Sequence, residues 1–539
     1  MMPTDAEREP LLSTRSRDDF ESQDGQLKPA IPNHLTGEAF DNVPVHKRKL
    51  GLTSAVFLIF NGMIGTGIFA TPSVILRSAG SVGMAFTMWL IGAVVAATGS
   101  AVYLEYGTTL PRNGGEKNYL EYVYRNPRFL ATCVYAMYGM FLGWGSANAV
   151  IFGEYLLHAF NVEATTYNVR GIAFGCLTVS FIMHSCFMTA GLRLQNTLGF
   201  FKLLILISIV VTGMAHLAGV PGFELKADAE VPDNLQWSKL WEGSGNGATA
   251  FVTGLYNVIW SFIGYNNANY VLSEIRDPVR TIKRANPIAL AFITVTYLLA
   301  NIAYFGAVSK NDILHSGRIV AALFFRNIFG QDTERILSLM IALSTWGNNL
   351  ASFFTHGRLI QELGREGILP WSSFFASDRP FRTPIAGLLV QWAVSSVHVL
   401  LPPPGDAYLF VLSLSSYPSS LINTFISAGL LYIHLRPEAI SALGWNPPFR
   451  AYTAAIWFFF ASNVFLVVVP FVPPASGYQV FEHIPYYLHC IVALVIGFLG
   501  AVYWYVKVVY LPHRGGYELK AEDVEEDGIS RTVLRRVPL

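Results

Sequence analysis

Charged residues are scarce in this chain, making up only 14% of its 539 residues. About 25% is usual in soluble domains, whereas 52% of this chain is hydrophobic. Apolar runs of roughly 20 residues recur, and each is long enough to cross a bilayer core of about 30 Å as one helix. A soluble core cannot enclose so many helices that are apolar all round. The composition therefore predicts an all-α integral membrane protein.

Cysteines, net charge and recognisable catalytic or metal-binding motifs are also sparse. The cysteines Cys133, Cys176, Cys186 and Cys490 fall in or at the end of apolar runs, so we expect no extracellular disulfide framework. The net charge of +1 gives no reason to expect a nucleic acid partner. There is no metal-spaced His/Cys cluster and no Ser–His–Asp arrangement, so we expect neither an enzyme nor a cofactor or metal site. The polar N-terminus and the long first apolar run argue against a cleavable signal peptide.

The apolar runs predict about 12 transmembrane spans between residues 50 and 509, with ends uncertain by a few residues. They lie near 51–77, 82–108, 129–158, 169–190, 197–219, 249–274, 286–307, 335–361, 384–401, 406–433, 451–471 and 485–509. Lys and Arg concentrate in alternate short loops, for example at 47–49, 276–284 and 365–382. Positive loops face the cytoplasm, so we expect both termini there.

Two polar tails flank the predicted spans. Residues 1–49 are rich in Asp, Glu, Ser, Pro and Arg, and we expect a mostly disordered cytosolic tail. Within it, residues 7–12 fit an acidic dileucine sorting signal, a short pattern that is also common by chance. Residues 510–539 form a second cytosolic tail, with an acidic cluster at 522–527.

Two of the apolar segments are interrupted, and they lie five spans apart. The first span carries Gly62, Gly65 and Gly67, and the sixth carries Gly264 within residues 260–269. Each glycine weakens a helix by about 1 kcal/mol relative to alanine. Interrupted helices at corresponding positions of two repeats point to the binding site of a secondary transporter.

The chemistry of such a break suits a zwitterion. An opened first span exposes the N–H groups of Gly65, Thr66 and Gly67 at a half-helix N-terminus, which attracts a carboxylate. The carbonyls of Met63 and Ile64 would receive an ammonium. Close helix packing through small residues is the alternative explanation of these glycines.

The sixth span has the same combination of a helix break and nearby polar groups. Gly264 permits an unwound turn, Trp260, Phe262 and Tyr265 would line or close a cavity, and Asn266 and Asn269 would bond freed backbone groups. Polar residues that merely join helices are the alternative. The predicted substrate-binding set is Met63, Ile64, Gly65, Thr66, Gly67, Trp260, Ser261, Phe262, Ile263, Gly264 and Asn266.

Lys202 lies in the fifth span, where an ammonium is costly and suggests a function. It would stand in for a bound cation or carry a coupling proton; the alternative is snorkelling to the cytoplasmic face. No charged residue is obvious beside the two breaks, which argues against cationic substrates.

Four motifs together resemble the L-type amino acid transporters of the amino acid–polyamine–organocation superfamily. They are residues 61–72 of the first span, residues 264–282 around and after the sixth, residues 352–370 at the end of the eighth, and Phe201-Lys202-Leu203-Leu204 in the fifth. The third span and the 111–124 loop are similar to the fungal branch, which includes high-affinity methionine permeases.

The resemblance implies a five-plus-five inverted repeat with two extra C-terminal helices. It implies substrate held by the opened backbone of helices one and six, Lys202 in the place of the sodium ion of sodium-coupled relatives, and Trp260 as an outer gate. Animal relatives join a glycoprotein through a cysteine between spans three and four. The corresponding loop, residues 159–168, has no cysteine, so we expect no disulfide-linked heavy chain.

The expected function is secondary active import of neutral L-amino acids, methionine above all, by alternating access with a proton as coupling ion. A transport-dead amino acid sensor and an amine or polyamine permease are the alternatives. We expect the plasma membrane as location, with the vacuolar membrane as the second choice.

Overall fold

The computed structural model describes residues 50–538, except 112–113, 228, 246, 273–274, 404, 476–477 and 527–528. The predicted disordered tail and its dileucine pattern lie outside the described residues, as do two positions of the motif after the sixth span. The described chain is predominantly helical, which confirms the all-α class. Its only sheet is one two-stranded hairpin near the C-terminus.

The α-helices follow one another with mostly short connections; the longest are residues 218–236 and 472–487. They are α1 Leu52–Met63, α2 Gly67–Ala70, α3 Pro72–Ala79, α4 Val82–Thr109, α5 Glu116–Val123, α6 Leu130–Phe141, α7 Ser146–Ala159, α8 Thr166–Cys186, α9 Met188–Leu217, α10 Trp237–Leu240, α11 Gly247–Phe262, α12 Pro278–Ala307, α13 Lys310–His315, α14 Val320–Phe329, α15 Gln331–Arg365, α16 Ser372–Ala376, α17 Ile385–Leu400, α18 Ala407–Leu435, α19 Pro437–Leu443, α20 Thr453–Val468, α21 Leu488–Trp504 and α22 Leu511–Gly515. Asn267–Tyr270 and Val469–Phe471 are 3₁₀-helices, and Tyr505–Tyr510 is a π-helix.

Eight helical stretches of the described chain are long and apolar enough to cross a membrane. The predicted third, sixth, eighth and ninth spans are not among them. The third divides into α6 and α7, while α11 and α17 have 16 residues each. The 35-residue α15 is long enough but falls short in apolar character. A multi-pass membrane protein is therefore confirmed, whereas the count of twelve and the inverted repeat remain predictions.

The core brings the interrupted segments to the centre of the bundle. The helix α12 packs against α1, α4 and α9, and α15 packs against α7, α9 and α17. N-cap side chains mark the start of two long helices. The Ser81 hydroxyl accepts from the N–H of Met84 at the start of α4, and Asp277 caps α12 just before Pro278. Helix α1 also packs against the 3₁₀-helix that follows the sixth span, and α11 packs against α2, α3 and α4.

The C-terminal tail forms a hairpin rather than an isolated extended segment. Strand β1, Tyr517–Glu526, pairs antiparallel with β2, Ile529–Pro538. The N–H of Leu534 donates to the carbonyl of Glu366 at 3.0 Å, so the hairpin meets the chain just after α15.

Candidate functional site

The first span is broken where the glycines predict. Helix α1 ends at Met63 and α2 begins at Gly67, with Ile64 in an extended conformation between them. No hydrogen bond among the described residues uses the N–H groups of Gly65, Thr66 or Gly67. The Thr66 side chain caps no helix N–H, and its hydroxyl donates to Asn148 Oδ1 at 3.1 Å. The first break thus presents unbonded amides at a half-helix N-terminus.

The sixth span is broken just after Phe262, the last residue of α11. Four residues of turn follow before the 3₁₀-helix Asn267–Tyr270. Gly264 has φ of 118°, a conformation that side-chain-bearing residues rarely adopt. No hydrogen bond from the described residues reaches the carbonyl of Ile263. The second break therefore supplies an acceptor where the first supplies donors.

The two breaks touch each other. A Cβ on Gly264 would lie 2.6 Å from the carbonyl carbon of Gly62, and a Cβ on Gly67 would lie 2.2 Å from Ser261 Oγ. The Tyr297 hydroxyl of α12 donates to the carbonyls of Met63, at 2.8 Å, and Ser261, at 3.1 Å. The glycines therefore serve close packing and chain opening together, and the two explanations are not exclusive.

A cavity of about 1520 Å³ runs along both breaks. Of the predicted substrate-binding set, nine residues line it: Met63, Gly65, Thr66, Gly67, Trp260, Phe262, Ile263, Gly264 and Asn266. Ile64 and Ser261 do not. Ile64 lines a smaller neighbouring cavity of about 250 Å³, and Ser261 is buried against Gly67. The Met63 carbonyl, an expected ammonium acceptor, is already bonded by Tyr297.

The cavity extends to one end of the bundle. Its lining continues past Thr355 to Leu50, where the described chain begins, and to Lys520 and Leu534 of the hairpin. The large cavity therefore opens on the face that carries both ends of the described chain.

Lys202 joins three helices at the first break. Its ammonium is buried and donates to the Asn61 carbonyl of α1 at 2.6 Å and to Asn348 Oδ1 of α15 at 2.7 Å. The side chain does not reach toward a membrane surface, so the snorkelling interpretation is wrong for this conformation. The ammonium thus bonds one oxygen atom of α1 and one of α15.

Glu116 is a site residue that the sequence reasoning missed. It lies in α5, and its buried Oε1 accepts from Asn266 Nδ2 at 2.6 Å, from the Tyr270 hydroxyl at 2.7 Å and from the Tyr103 hydroxyl at 3.0 Å. Burial raises the pKa of its carboxyl above the ordinary value, against the opposing effect of these hydrogen bonds.

Two expectations about the second break are corrected by this cluster. A charged residue does lie beside it, and Asn266 bonds side chains rather than freed backbone groups. Asn269 bonds the backbone of another helix, at the Tyr103 carbonyl. Glu116 was missed because the polar loop before α6 gave no sign of folding back into the cavity. The i, i+3 spacing of Tyr119 and Tyr122, which are both buried on α5, was the available signal.

The described residues contain no group of three or more His, Cys, Asp or Glu side chains arranged to hold a metal ion. Their polar groups at the breaks are instead amide donors, backbone carbonyls, the Lys202 ammonium and the Glu116 carboxyl. This arrangement can bind a small zwitterion by its two charged ends and can release it through the open mouth.

Comparison with known proteins agrees with this geometry. Residues 50–496 match the family model described as "Amino acid permease". The chain is 44% identical to the high-affinity methionine permease of Saccharomyces cerevisiae over 494 residues, covering 91% of this chain and 84% of the relative. It is 27% identical to the low-affinity methionine permease of the same organism, covering 88% and 84%. It is 31% identical to the Asc-type amino acid transporter 1 of Mus musculus, covering 73% and 72%. The chain thus belongs to the amino acid permease family, and it is a multi-pass membrane transporter of amino acids rather than an enzyme.

Proposed function

We propose that this transporter imports neutral L-amino acids, methionine above all, through the cavity between the two breaks. The observation that carries the proposal is the row of unbonded N–H groups at Gly65, Thr66 and Gly67. They suit the carboxylate of an amino acid at a half-helix N-terminus. The carbonyls of Met63, Ile64 and Ile263 suit its ammonium. The Ile263 carbonyl accepts no hydrogen bond from the described residues, and the Met63 carbonyl, which accepts from Tyr297, keeps a second lone pair.

Methionine is favoured for two reasons. The relative with 44% identity is a methionine permease. The cavity wall beside the breaks carries Trp260, Phe262 and Ile263, which would accept an apolar thioether. Trp260, at the end of the outer half-helix, is the proposed outer gate.

Uptake of labelled methionine by cells that lack their own methionine permease tests this function. Saturable uptake is expected, with competition by other bulky apolar amino acids and sensitivity to a proton uncoupler. Failure to take up methionine, with saturable uptake of another amino acid, would refute the substrate assignment. An empty-vector control measures residual transport.

An amine or polyamine substrate is the second candidate, because Glu116 lies beside the second break. Three donors already occupy the oxygen of Glu116 that faces Asn266. We therefore expect putrescine and arginine to compete weakly with methionine. Strong competition by either would favour the amine permease. A sensor without transport activity would show methionine binding but no uptake.

Proton coupling is the proposed energy source, with Lys202 in the place of a bound cation. Its contacts to Asn61 and Asn348 tie α9 to the first break and to α15. We expect Lys202→Ala to lower uptake and to flatten its dependence on external pH between 5 and 8. A variant that keeps the wild-type pH profile would remove Lys202 from coupling.

The location of the transporter and the side of its tails are also proposals. We propose that the transporter resides in the plasma membrane, or else in the vacuolar membrane, with both tails in the cytoplasm. The absence of cysteine from residues 159–168 supports transport without a disulfide-linked heavy chain.

A further inference from the structure

Asn348 lies where the Lys202 site meets the first break. It belongs to α15, and only 9% of its surface is exposed. Its Oδ1 accepts from Lys202 at 2.7 Å. On the other side of the same amide, a Cβ on Gly65 would lie 3.2 Å from Nδ2. One side-chain amide therefore bonds the ammonium and lies beside the opened backbone.

The orientation of this amide follows from the chemistry of lysine. An ammonium only donates hydrogen bonds, so the Asn348 atom that faces Lys202 must be the oxygen. Lys202 is itself held by the Asn61 carbonyl at 2.6 Å. The NH₂ group of Asn348 consequently points toward Gly65.

That NH₂ group lacks a hydrogen-bond partner within the described part of the chain, although it is buried. Buried donors in folded proteins nearly always have an acceptor, so this NH₂ group is available to a group bound at the break. The neighbouring N–H groups of Gly65, Thr66 and Gly67 are also unbonded in this part of the chain. Donors without acceptors thus gather at one place, which suits an anionic group.

We propose that Asn348 binds the carboxylate of the transported amino acid through Nδ2, beside the amides of the first break. The inference rests on the proposed function only in requiring a substrate with a carboxylate. Nδ2 is almost fully covered in this conformation, so the carboxylate reaches it only when the backbone around Gly65 shifts away from the amide. Lys202 then acts on the substrate through Asn348, because its ammonium keeps the NH₂ group aimed at the site.

The test compares two competitors of labelled methionine uptake: unlabelled methionine and methioninamide, which lacks the carboxylate. Asn348→Asp keeps an acceptor for Lys202 but replaces the donor with a second negative oxygen. Asn348→Ser keeps a small acceptor and withdraws the NH₂ group. In both variants we expect inhibition by methionine to weaken roughly tenfold or more, as for the loss of a hydrogen bond to a charged group. Inhibition by methioninamide should change little.

Asn349→Asp is the matched control. Asn349 is the next residue and is also buried, but its Nδ2 donates to Ser180 Oγ at 3.1 Å and Cys176 Sγ at 3.5 Å on α8. The control should retain the wild-type ratio of the two inhibition constants, with uptake normalised to surface protein. Should Asn348→Asp fail to reach the surface, Asn348→Ser decides.

The proposal would be overturned if the ratio of the inhibition constants of methionine and methioninamide were unchanged in the Asn348 variants. An equal change of this ratio in Asn349→Asp would overturn it as well. Failure of the methionine assignment is distinguishable, because the wild type would then transport another amino acid. The same ratio is in that case measured with that amino acid and its amide.

Discussion

At the scale of single residues, the glycines of the two breaks do what no other residue type can. Gly264 combines a φ of 118° with a contact to the Gly62 backbone. Gly67 abuts both the backbone and the side chain of Ser261. A Cβ at either position meets fixed atoms, because the neighbour is backbone rather than the free end of a long side chain.

Gly264→Ala should therefore impair transport severely. The added Cβ would lie 2.6 Å from the Gly62 carbonyl carbon, and a positive φ costs about 1 kcal/mol or more for alanine. We expect methionine uptake per surface transporter to fall at least about tenfold.

Gly175→Ala in α8 is the control for this substitution. A Cβ there would meet nothing within 4 Å, and alanine favours helix by about 1 kcal/mol. Uptake and surface amount should match the wild type. Equal activity of the Gly264 and Gly175 variants would contradict the importance of the close approach.

At the scale of elements, the short helix α5 closes one wall of the cavity. Glu116 joins it to α4 through Tyr103 and to the 3₁₀-helix through Tyr270. The neighbouring Lys117 forms an ion pair with Glu366, which follows α15. A loop helix is thereby tied to elements on both sides of the cavity mouth.

Glu116→Gln should change stability in a pH-dependent way. Burial raises the pKa of this carboxyl in the folded protein, so the folded state binds its proton more tightly than the unfolded chain. The cost of ionising it is absent below the ordinary pKa of about 4.3 and grows as pH rises toward the raised value. The apparent Tm of the variant relative to wild type should consequently be higher at pH 8 than at pH 5.

Thermal unfolding of the detergent-purified transporter measures this difference. Glu121→Gln, on the same helix, is the control; Glu121 accepts one hydrogen bond, from Thr132 Oγ1 at 3.1 Å. The expected pH trend is specific to Glu116. A relative Tm that is the same at both pH values would show that the Glu116 carboxyl is not penalised by burial.

At the scale of the whole molecule, the described conformation is open at one end. The cavity reaches from the two breaks to the face with Leu50 and the hairpin. On the opposite side of the breaks, Arg318 pairs with Glu154 and stacks over the Tyr408 ring at 4.7 Å. These contacts connect the segment between α13 and α14 with α7 and α18, and they hold that side together.

Accessibility to a membrane-impermeant thiol reagent tests which side of the membrane this opening faces. Thr355 is exposed on the cavity wall, so Thr355→Cys should react in inside-out vesicles and not in intact cells. The background variant Cys186→Ser eliminates the exposed native cysteine, while Cys133, Cys176 and Cys490 are buried.

Lys226→Cys serves as the opposite control, since Lys226 is exposed in the connection between α9 and α10 and is expected outside. It should react in intact cells. Labelling of Thr355→Cys from outside would reverse the proposed orientation of the transporter.

The sequence alone determined the membrane class and the positions of both breaks. Long apolar runs have no other stable environment than a bilayer. Glycine clusters within such runs weaken the helix locally, whatever the neighbours are. For that reason the breaks at Gly62–Gly67 and at Gly264 could be found from the pattern of residues along the sequence. The family resemblance was carried partly by the same residues.

Only the tertiary structure decided which groups meet at those breaks. The Met63 carbonyl accepts a hydrogen bond from Tyr297, a residue 234 positions away. The Asn266 side chain donates to Glu116, which is 150 positions away. Lys202 proved to face the first break instead of a membrane surface, and Asn348 proved to be its partner. Such pairings depend on how helices pack against one another, which local periodicity along the chain does not specify.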